Sequence, residues 1–509
     1  MPPNGRASEK AKVLVRQLVV AALAAAAPAL CLAQAAGGQS TTAPDQGLSN
    51  VSGTPGAALP GATLPATLPG EPSTQLGPEP AEFARYGIAA GIGETDNVNV
   101  SSTNPKSQTL AAADLDFDLK RTGSRLDAYA LGNFTDIDYL EGAYSNQVLG
   151  RFDGFATAKL WSDRLKWVVA DDYGEEQTDP FAAITPVNLQ RVNVFSTGPD
   201  LTLRPSYSTF INIDARYSQI SYQTSPFDGH SLVGSAAFGR QVSSLSSVSL
   251  VVQAQEQRFD NTIVNTDFDR REAYGRYLIK GARTSIDAQL GVTQANDVAS
   301  SWRTSPLVRL QLTRQVSPFS IVTLGGGREF TDAAGSFSSL TSGAGGGIAV
   351  APVAQTTANY QRTYGTAGWE FARLRTSLGL TGNWERDAYD LQPVFDATRA
   401  ALGLNLGRSL TPKLSVSITG SADRYEYLNQ GFTDKFGTVG GVIAYRPGRW
   451  VIVYARYDHA FRRSSGTPGL LVGGSGYDEN RAFIMIGYQP HSDEMGQGGM
   501  STTQGAPAP

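Results

Sequence analysis

Between Pro412 and Leu428 the chain alternates one residue at a time. Leu414, Val416, Ile418, Gly420 and Ala422 interleave with Ser415, Ser417, Thr419, Ser421 and Asp423, and Tyr425 and Tyr427 follow at the far end. A period of two is that of a strand whose faces meet different media, one apolar and one fully polar. Strands of soluble sandwiches also alternate. Here the pattern recurs over roughly four hundred residues with no helical segment between, which constrains the chain to an all-β, transmembrane, antiparallel up-and-down β-barrel. The two tyrosines are expected in an aromatic ring at the membrane boundary.

Residues 1–35 read as a signal peptide: Arg6, Lys10, Lys12 and Arg16 precede an apolar run from Leu18 to Leu30, and Cys31-Leu32-Ala33 or Ala33-Gln34-Ala35 supplies small residues for cleavage. The expected destination is the outer membrane of a Gram-negative bacterium, reached through its outer-membrane assembly machinery. The single cysteine lies in this segment, so no disulfide or thiolate chemistry is expected after export. From 36 to 80 the chain is rich in Pro, Gly, Ala and Thr with few large apolar residues, as in Leu64-Pro65-Ala66-Thr67-Leu68-Pro69-Gly70. It is expected to be a disordered periplasmic linker, either a spacer or a docking tail. Residues 491–509 have the same character, which leaves 81–490 for the barrel.

Composition fits this reading. Charged residues make up only 17% of the chain, with 55 Gly, 20 Tyr and 21 Phe, and no apolar run after residue 35 approaches the ~20 residues of a spanning helix. The formal charge is −4, and loss of the basic leader makes the remainder more acidic, so nothing electrostatic points to nucleic acid.

Alternation and turn residues place candidate strands near residues 83, 108, 124, 146, 164, 190, 207, 229, 244, 267, 284, 304, 319, 360, 374, 396, 412, 434, 449 and 479. Connections alternate between tight ones, such as Thr122-Gly123 and Pro447-Gly448, and long ones, such as 96–107, 179–189 and 332–360. Short periplasmic turns and long outer loops are the asymmetry of an outer-membrane barrel. The count is about twenty, or eighteen if one hairpin is a loop excursion. The 332–360 connection, the longest, is expected to lie across the mouth.

Parity assigns faces. Toward lipid go Leu115, Phe117 and Leu119, then Ile211, Ile213 and Ala215, Val248, Leu250 and Val252, Ile286, Ala288 and Leu290, Leu402, Leu404 and Leu406, and Val451, Val453 and Ala455. Toward the lumen go Asp114, Asp116, Asp118, Asp127, Asp214, Arg216, Gln253, Gln255, Asp287, Gln289, Arg309, Asn383, Glu385, Asp423 and Arg456. Charges are costly at the lipid midplane and hydrated in an aqueous lumen, where they also brace the wall. Tyr129, Phe155, Tyr274 and Trp450 are assigned to the same inner side. Ala482, Ile484, Ile486 and Tyr488 give the last strand an apolar face ending in an aromatic.

No catalytic constellation is present. The three histidines, His230, His459 and His491, show no metal-ligand spacing, and no Gly-rich phosphate loop occurs. Neither enzyme activity nor a cofactor is expected. Barrels of 16–18 strands leave a channel and 22-stranded ones carry a plug. The 36–80 segment lacks a core-forming sequence for a plug, so a wide polar conduit is the expectation.

Gly93-Glu94-Thr95-Asp96-Asn97-Val98 closes the first strand, and Gly198-Pro199-Asp200-Leu201-Thr202-Leu203-Arg204-Pro205 forms a later strand and turn. On these two motifs, 82–489 resembles the large outer-membrane β-barrel proteins of bacterial exopolysaccharide and exosortase (PEP-CTERM) clusters. The resemblance implies secretion of a polysaccharide across the outer membrane together with a periplasmic polysaccharide-export protein. A lumen rich in Ser, Thr, Asn and Gln (Ser415, Ser417, Thr419, Asn405) suits a hydroxylated polymer that must slide. A general small-solute porin or uptake channel, and a structural or adhesive barrel, are the alternative readings.

Overall fold

The computed structural model describes residues 82–490 apart from 162–163, 180–181, 183, 264, 298–300, 333–357 and 467–475. The leader, linker and tail expected at 1–35, 36–80 and 491–509, and nearly all of the 332–360 connection, lie outside the described residues.

Twenty strands follow one another: β1 (Glu82–Thr95), β2 (Gln108–Thr122), β3 (Leu126–Tyr139), β4 (Gln147–Trp161), β5 (Leu165–Gln177), β6 (Leu189–Leu203), β7 (Thr209–Tyr222), β8 (Gly229–Ser243), β9 (Ser246–Phe259) and β10 (Phe268–Lys280) make the first half. The second half is β11 (Thr284–Asp297), β12 (Arg303–Ser317), β13 (Ser320–Thr331), β14 (Tyr360–Arg373), β15 (Thr376–Ala388), β16 (Ala397–Thr411), β17 (Leu414–Tyr427), β18 (Phe432–Tyr445), β19 (Val451–Ser465) and β20 (Tyr477–Tyr488). Each pairs antiparallel with the next, and β1 pairs β20 from Ile88↔Tyr488 to Thr95↔Arg481, which closes the sheet. Every expected strand exists, starting within a few residues of the place the alternation gives, and the eighteen-strand alternative is set aside.

Connections at one end are tight, as at 244–245, 318–319 and 412–413, whereas those at the other end include 96–107, 178–188 and 332–359. Both ends of the strand sequence, Glu82 and Tyr488, lie at the tight-turn end. By the rule for such barrels that end is periplasmic.

Exposure separates the faces between neighbouring residues. Leu250, Leu290 and Leu402 are 62%, 69% and 68% exposed, while adjacent Val251, Gln289 and Ala401 are 6%, 6% and 7% exposed. An apolar outer band on a sheet without edges satisfies the backbone internally, as a bilayer requires. The protein is an outer-membrane β-barrel, in contact with outer-membrane lipid through this band. On the outer face of β2–β5, aromatic rings replace missing side chains. Phe117 lies over Gly132, Phe134 over Gly150 and Phe152 over Gly154, where an added Cβ would sit 2.0–2.5 Å from ring atoms. Phe117, Phe134 and Tyr173 continue this layer with centroids 6.4 and 6.1 Å apart.

The Gly198-Pro199 pair interrupts a ladder. The β6–β7 register runs to Thr197↔Tyr217 and resumes at Asp200↔Asp214, because Pro199 has no N–H to donate. Gly198 permits the close approach there, since a Cβ would stand 1.9 Å from the Ala215 carbonyl oxygen. Arg216 fills the break, donating to the Pro199 carbonyl at 3.2 Å and to Asp200 at 2.6 Å.

Two aromatic expectations are corrected. Tyr425 and Tyr427 share parity with Asp423 and point inward, buried against Phe436 and Phe432, rather than forming a boundary ring. Trp450 is exposed and stacks on the outward Tyr488, centroids 5.8 Å apart, so it belongs to the periplasmic rim and not to the lumen.

Candidate functional site: the lumen and its outer mouth

The candidate site is the inner wall, and its charges are tied to one another, mostly across neighbouring strands and in one case, Arg456 with Asp458, along β19. Asp118 meets Arg85 at 3.5 Å, Asp127 meets Lys159 at 2.9 Å and Asp287 meets Arg276 at 2.6 Å. Glu385 meets Arg362 at 2.7 Å, Asp423 meets Arg399 at 2.9 Å, and Arg456 meets Asp458. Asp214 accepts from Ser235 at 2.7 Å, and Asp116 accepts from Asn133. Asp114 accepts from Thr135 at 2.8 Å and from the Tyr454 hydroxyl at 3.0 Å, a contact that reaches from β2 past β1 and β20 to β19. Gln253 and Asn383 sit on the same face, half-buried and buried.

Arg309 joins four strands. It donates to Glu272 on β10 through both Nη atoms at 3.1 Å, to Gln289 on β11 at 3.3 Å, and to Glu329 on β13. Gln255 extends the same network by accepting from Arg270, which also approaches Asp332 at 3.9 Å. Paired in this way, the wall charges largely neutralise one another locally, and what remains for a ligand is a surface of amides and hydroxyls.

The lumen differs along its length. In the periplasmic half, inward Thr419, Asn405 and Gln241 are exposed and Ser415 and Ser417 half-buried. At the outer end the inward side chains are shut away: Gln190, Gln257, Asp297, Asp434 and Glu479 are each no more than 1% exposed.

Part of that closure comes from the described residues of the β5–β6 connection, Ala182 and Ile184 among them. Ile184 turns inward and joins the buried cluster of Tyr425, Tyr427, Phe432 and Phe436, on strands across the barrel. Ala182 offers its carbonyl to Arg462 Nη1 at 2.8 Å. Arg462 is fully buried, its Nε 3.1 Å from Asp434 and its guanidinium 5.0 Å above the Phe436 ring. The cation and its carboxylate therefore latch a loop from β5–β6 onto β18–β19. Other outer connections interlock, with Asn265 donating to the Pro226 carbonyl at 2.6 Å and the Ser225 N–H to Gln190 at 3.0 Å. The expectation of a loop across the mouth fell on 332–360, of which 333–357 lie outside the described residues. Parity reasoning missed the 178–188 latch, because a loop has no alternation. The sequence signal of it is the apolar content of the connection, where Phe181, Ile184 and Val187 stand among Ala and Pro with few polar residues.

The Thr95-Asp96-Asn97-Val98 motif staples the seam. Thr95 donates to Glu479 at 2.6 Å, Asp96 accepts from the Asn480 N–H at 2.8 Å and side-chain amide at 2.6 Å, and Asn97 donates to the Asp478 carbonyl at 2.7 Å. These bonds tie the end of the first strand to the start of the last. His459 lies on the outer wall near the rim, its Nδ1 2.9 Å from Asn480, and His230 stacks on Tyr217. Among the described residues no group of three His, Cys, Asp or Glu is placed to hold a metal.

No family model and no curated protein matches the chain. Among solved structures, the FrpB iron transporter from Neisseria meningitidis aligns over 80% of this chain and 81% of its own, with 7% identity and a TM-score of 0.39. The ferric enterobactin receptor PfeA from Pseudomonas aeruginosa aligns over 82% and 81%, with 10% identity and a TM-score of 0.40. The ferric citrate transporter FecA aligns over 81% and 79%, with 10% identity and a TM-score of 0.38. Likeness at this level carries no argument about cargo, and the assignment of the chain as an outer-membrane barrel channel stands on its own closed register, its outward apolar band and its polar inner wall.

Proposed function

We propose that the barrel is a gated conduit through which an exopolysaccharide leaves the cell, shut at its outer mouth until a chain or a periplasmic export partner drives residues 178–188 aside. The observation that carries this reading is the asymmetry of the lumen, accessible from the periplasmic half and latched at the outer end through Arg462, Asp434 and Ala182. A conduit for a long polymer must stay closed while nothing threads it. A small-solute porin instead needs a standing path through the mouth.

The inner wall supports the same reading. Its charges are spent on each other, so a hydroxylated polymer meets amides and hydroxyls such as Thr419, Asn405 and Gln241, none forming a tight, desolvated pocket that would arrest sliding. Deleting the gene should abolish one extracellular polysaccharide and leave small-solute permeability nearly unchanged. Normal secretion of every surface polysaccharide in the deletion strain, with slower uptake of a small sugar or antibiotic, would overturn the proposal in favour of a diffusion porin.

A further inference from the structure

We propose that the outward face of β14–β19 holds a phosphorylated, multiply acylated glycolipid of the outer leaflet, with its phosphates on a row of cations and acyl chains in the groove beneath. The inference is independent of what passes through the lumen, because every side chain concerned points away from it.

Register places the cations. Arg424 is directly opposite Lys435, and Lys435 directly opposite Arg463, so three positive side chains stand abreast on β17, β18 and β19. All three are exposed and lie toward the outer ends of their strands. Like charges directly opposite one another on a sheet are destabilising unless something anionic sits against them. Within the chain the compensation is incomplete: Arg424 meets Glu426 at 3.1 Å and Arg463 meets Asp478 at 2.7 Å, both pairs about half exposed, and Lys435 has no acid within ion-pair distance among the described residues. The sequence of 333–357 and of 467–475 contains no Asp or Glu. Exposed Arg386 on β15 and Arg328 on β13 extend the cations to one side of the row, whereas on the far side of the seam the outward rim carries Glu94 and Asp136. The cationic sector is thus one arc of the rim, not a uniform belt.

Beneath the row the wall is hollowed. A groove of about 860 Å³ is floored by Gly365, Gly382, Ala400 and Ala422, walled by Trp384, Leu402 and Phe461, and topped by Arg424 and Lys435. The floor is not small because the sheet demands it. A Cβ at Gly365 would meet nothing within 4 Å, and one at Gly382 would make only an ordinary 3.5 Å contact with Leu402. On β2–β5, by contrast, rings already cover the glycines. The space left open here is apolar and faces the bilayer, which suits acyl chains, and the cations stand where headgroup phosphates of an outer-leaflet lipid would lie.

The test uses the full chain in detergent micelles, with native mass spectrometry and titration of bis-phosphorylated lipid A, dephosphorylated lipid A and phosphatidylethanolamine. Wild type should prefer the phosphorylated lipid, and R424Q/K435Q/R463Q should bind it roughly ten- to a hundredfold more weakly. The groove-filling pair G365L/A400L should weaken it while leaving the cations in place. R240Q/R314Q, on outward cations of the periplasmic rim, should bind like wild type. Heat-modifiable gel mobility confirms that each variant is folded. Equal binding of phosphorylated and dephosphorylated lipid A, or wild-type affinity in the folded cation triple variant, overturns the proposal.

Discussion

Replacing Arg462 with Met tests the latch at the outer mouth. The guanidinium is fully buried and donates to Asp434 and to the Ala182 carbonyl at 2.8 Å. A hydrogen bond from a charged donor contributes about 1.5–3 kcal/mol, and the bond to Ala182 crosses between the loop and the wall. Its loss should multiply the open-to-closed ratio by about 10- to 150-fold, since 1.36 kcal/mol is a factor of ten. Ile184 remains to hold the loop through its buried side chain, worth about 1.5–3 kcal/mol, so R462M/I184A should open further. R462M alone also strands Asp434, at a cost of about 3–5 kcal/mol. R462M/D434N removes that penalty and isolates the effect on the loop. Single-channel recording in a planar bilayer reads the result as open probability. Wild-type open probability in R462M/D434N and R462M/I184A, with normal heat-modifiable mobility, would refute the latch.

Leu290→Arg, on an outward side chain 69% exposed near mid-strand, should cost about 2–4 kcal/mol and impair assembly. Thr419→Arg, on the accessible lumen wall, should fold normally, as read by heat-modifiable mobility. Gly150→Leu should slow assembly or lower the unfolding midpoint by the equivalent of about 1–3 kcal/mol, because the Phe134 ring lies 2.1 Å from the added Cβ position. Arg309→Met should destabilise by about 3–5 kcal/mol in urea-unfolding titrations by leaving Glu329 without its cation and Glu272 with only the more distant Arg270 at 3.8 Å. Adding E272Q and E329Q should recover most of that loss.

Strand number and faces were legible because a bilayer imposes one rule on every strand. Leu250 and Val251 differ in exposure by a factor of about ten although both are aliphatic, and parity alone places them. Residue type misleads at strand ends, where the environment changes within a residue or two. Tyr425 and Tyr427 look like a boundary ring by type and are lumen residues by position. Parity with Val451 and Val453 puts Trp450 on the inner side, but it stands one residue before β19, where the alternation has not begun. The acids and bases of the wall could be named from sequence, but their partners could not. Asp114 meets Tyr454, 340 positions away, only because the sheet closes on itself.

Closure also explains why the two interaction sites differ in legibility. A residue row on the outer face is a product of register between neighbouring strands, so Arg424, Lys435 and Arg463 become a row as soon as their hairpins are set, and tight turns set them. The mouth is a product of loops meeting across the barrel, where no ladder fixes who meets whom. Arg462 and Arg463 stand side by side in the chain. One turns inward to latch a distant loop, the other outward toward lipid, and a single step of strand parity divides gate from anchor. Shifting β19 by one residue against β18 would turn the inward Arg456, Asp458 and Arg462 out toward lipid and bring the outward Val453 and Phe461 into the lumen. Because that exchange is so costly, the register of the last hairpins should be among the most firmly held in the wall. Hydrogen exchange of the amides of β18 and β19 should then be slower than that of β8 and β9. Faster exchange at β18–β19 would mean that the latch does not help to hold the register.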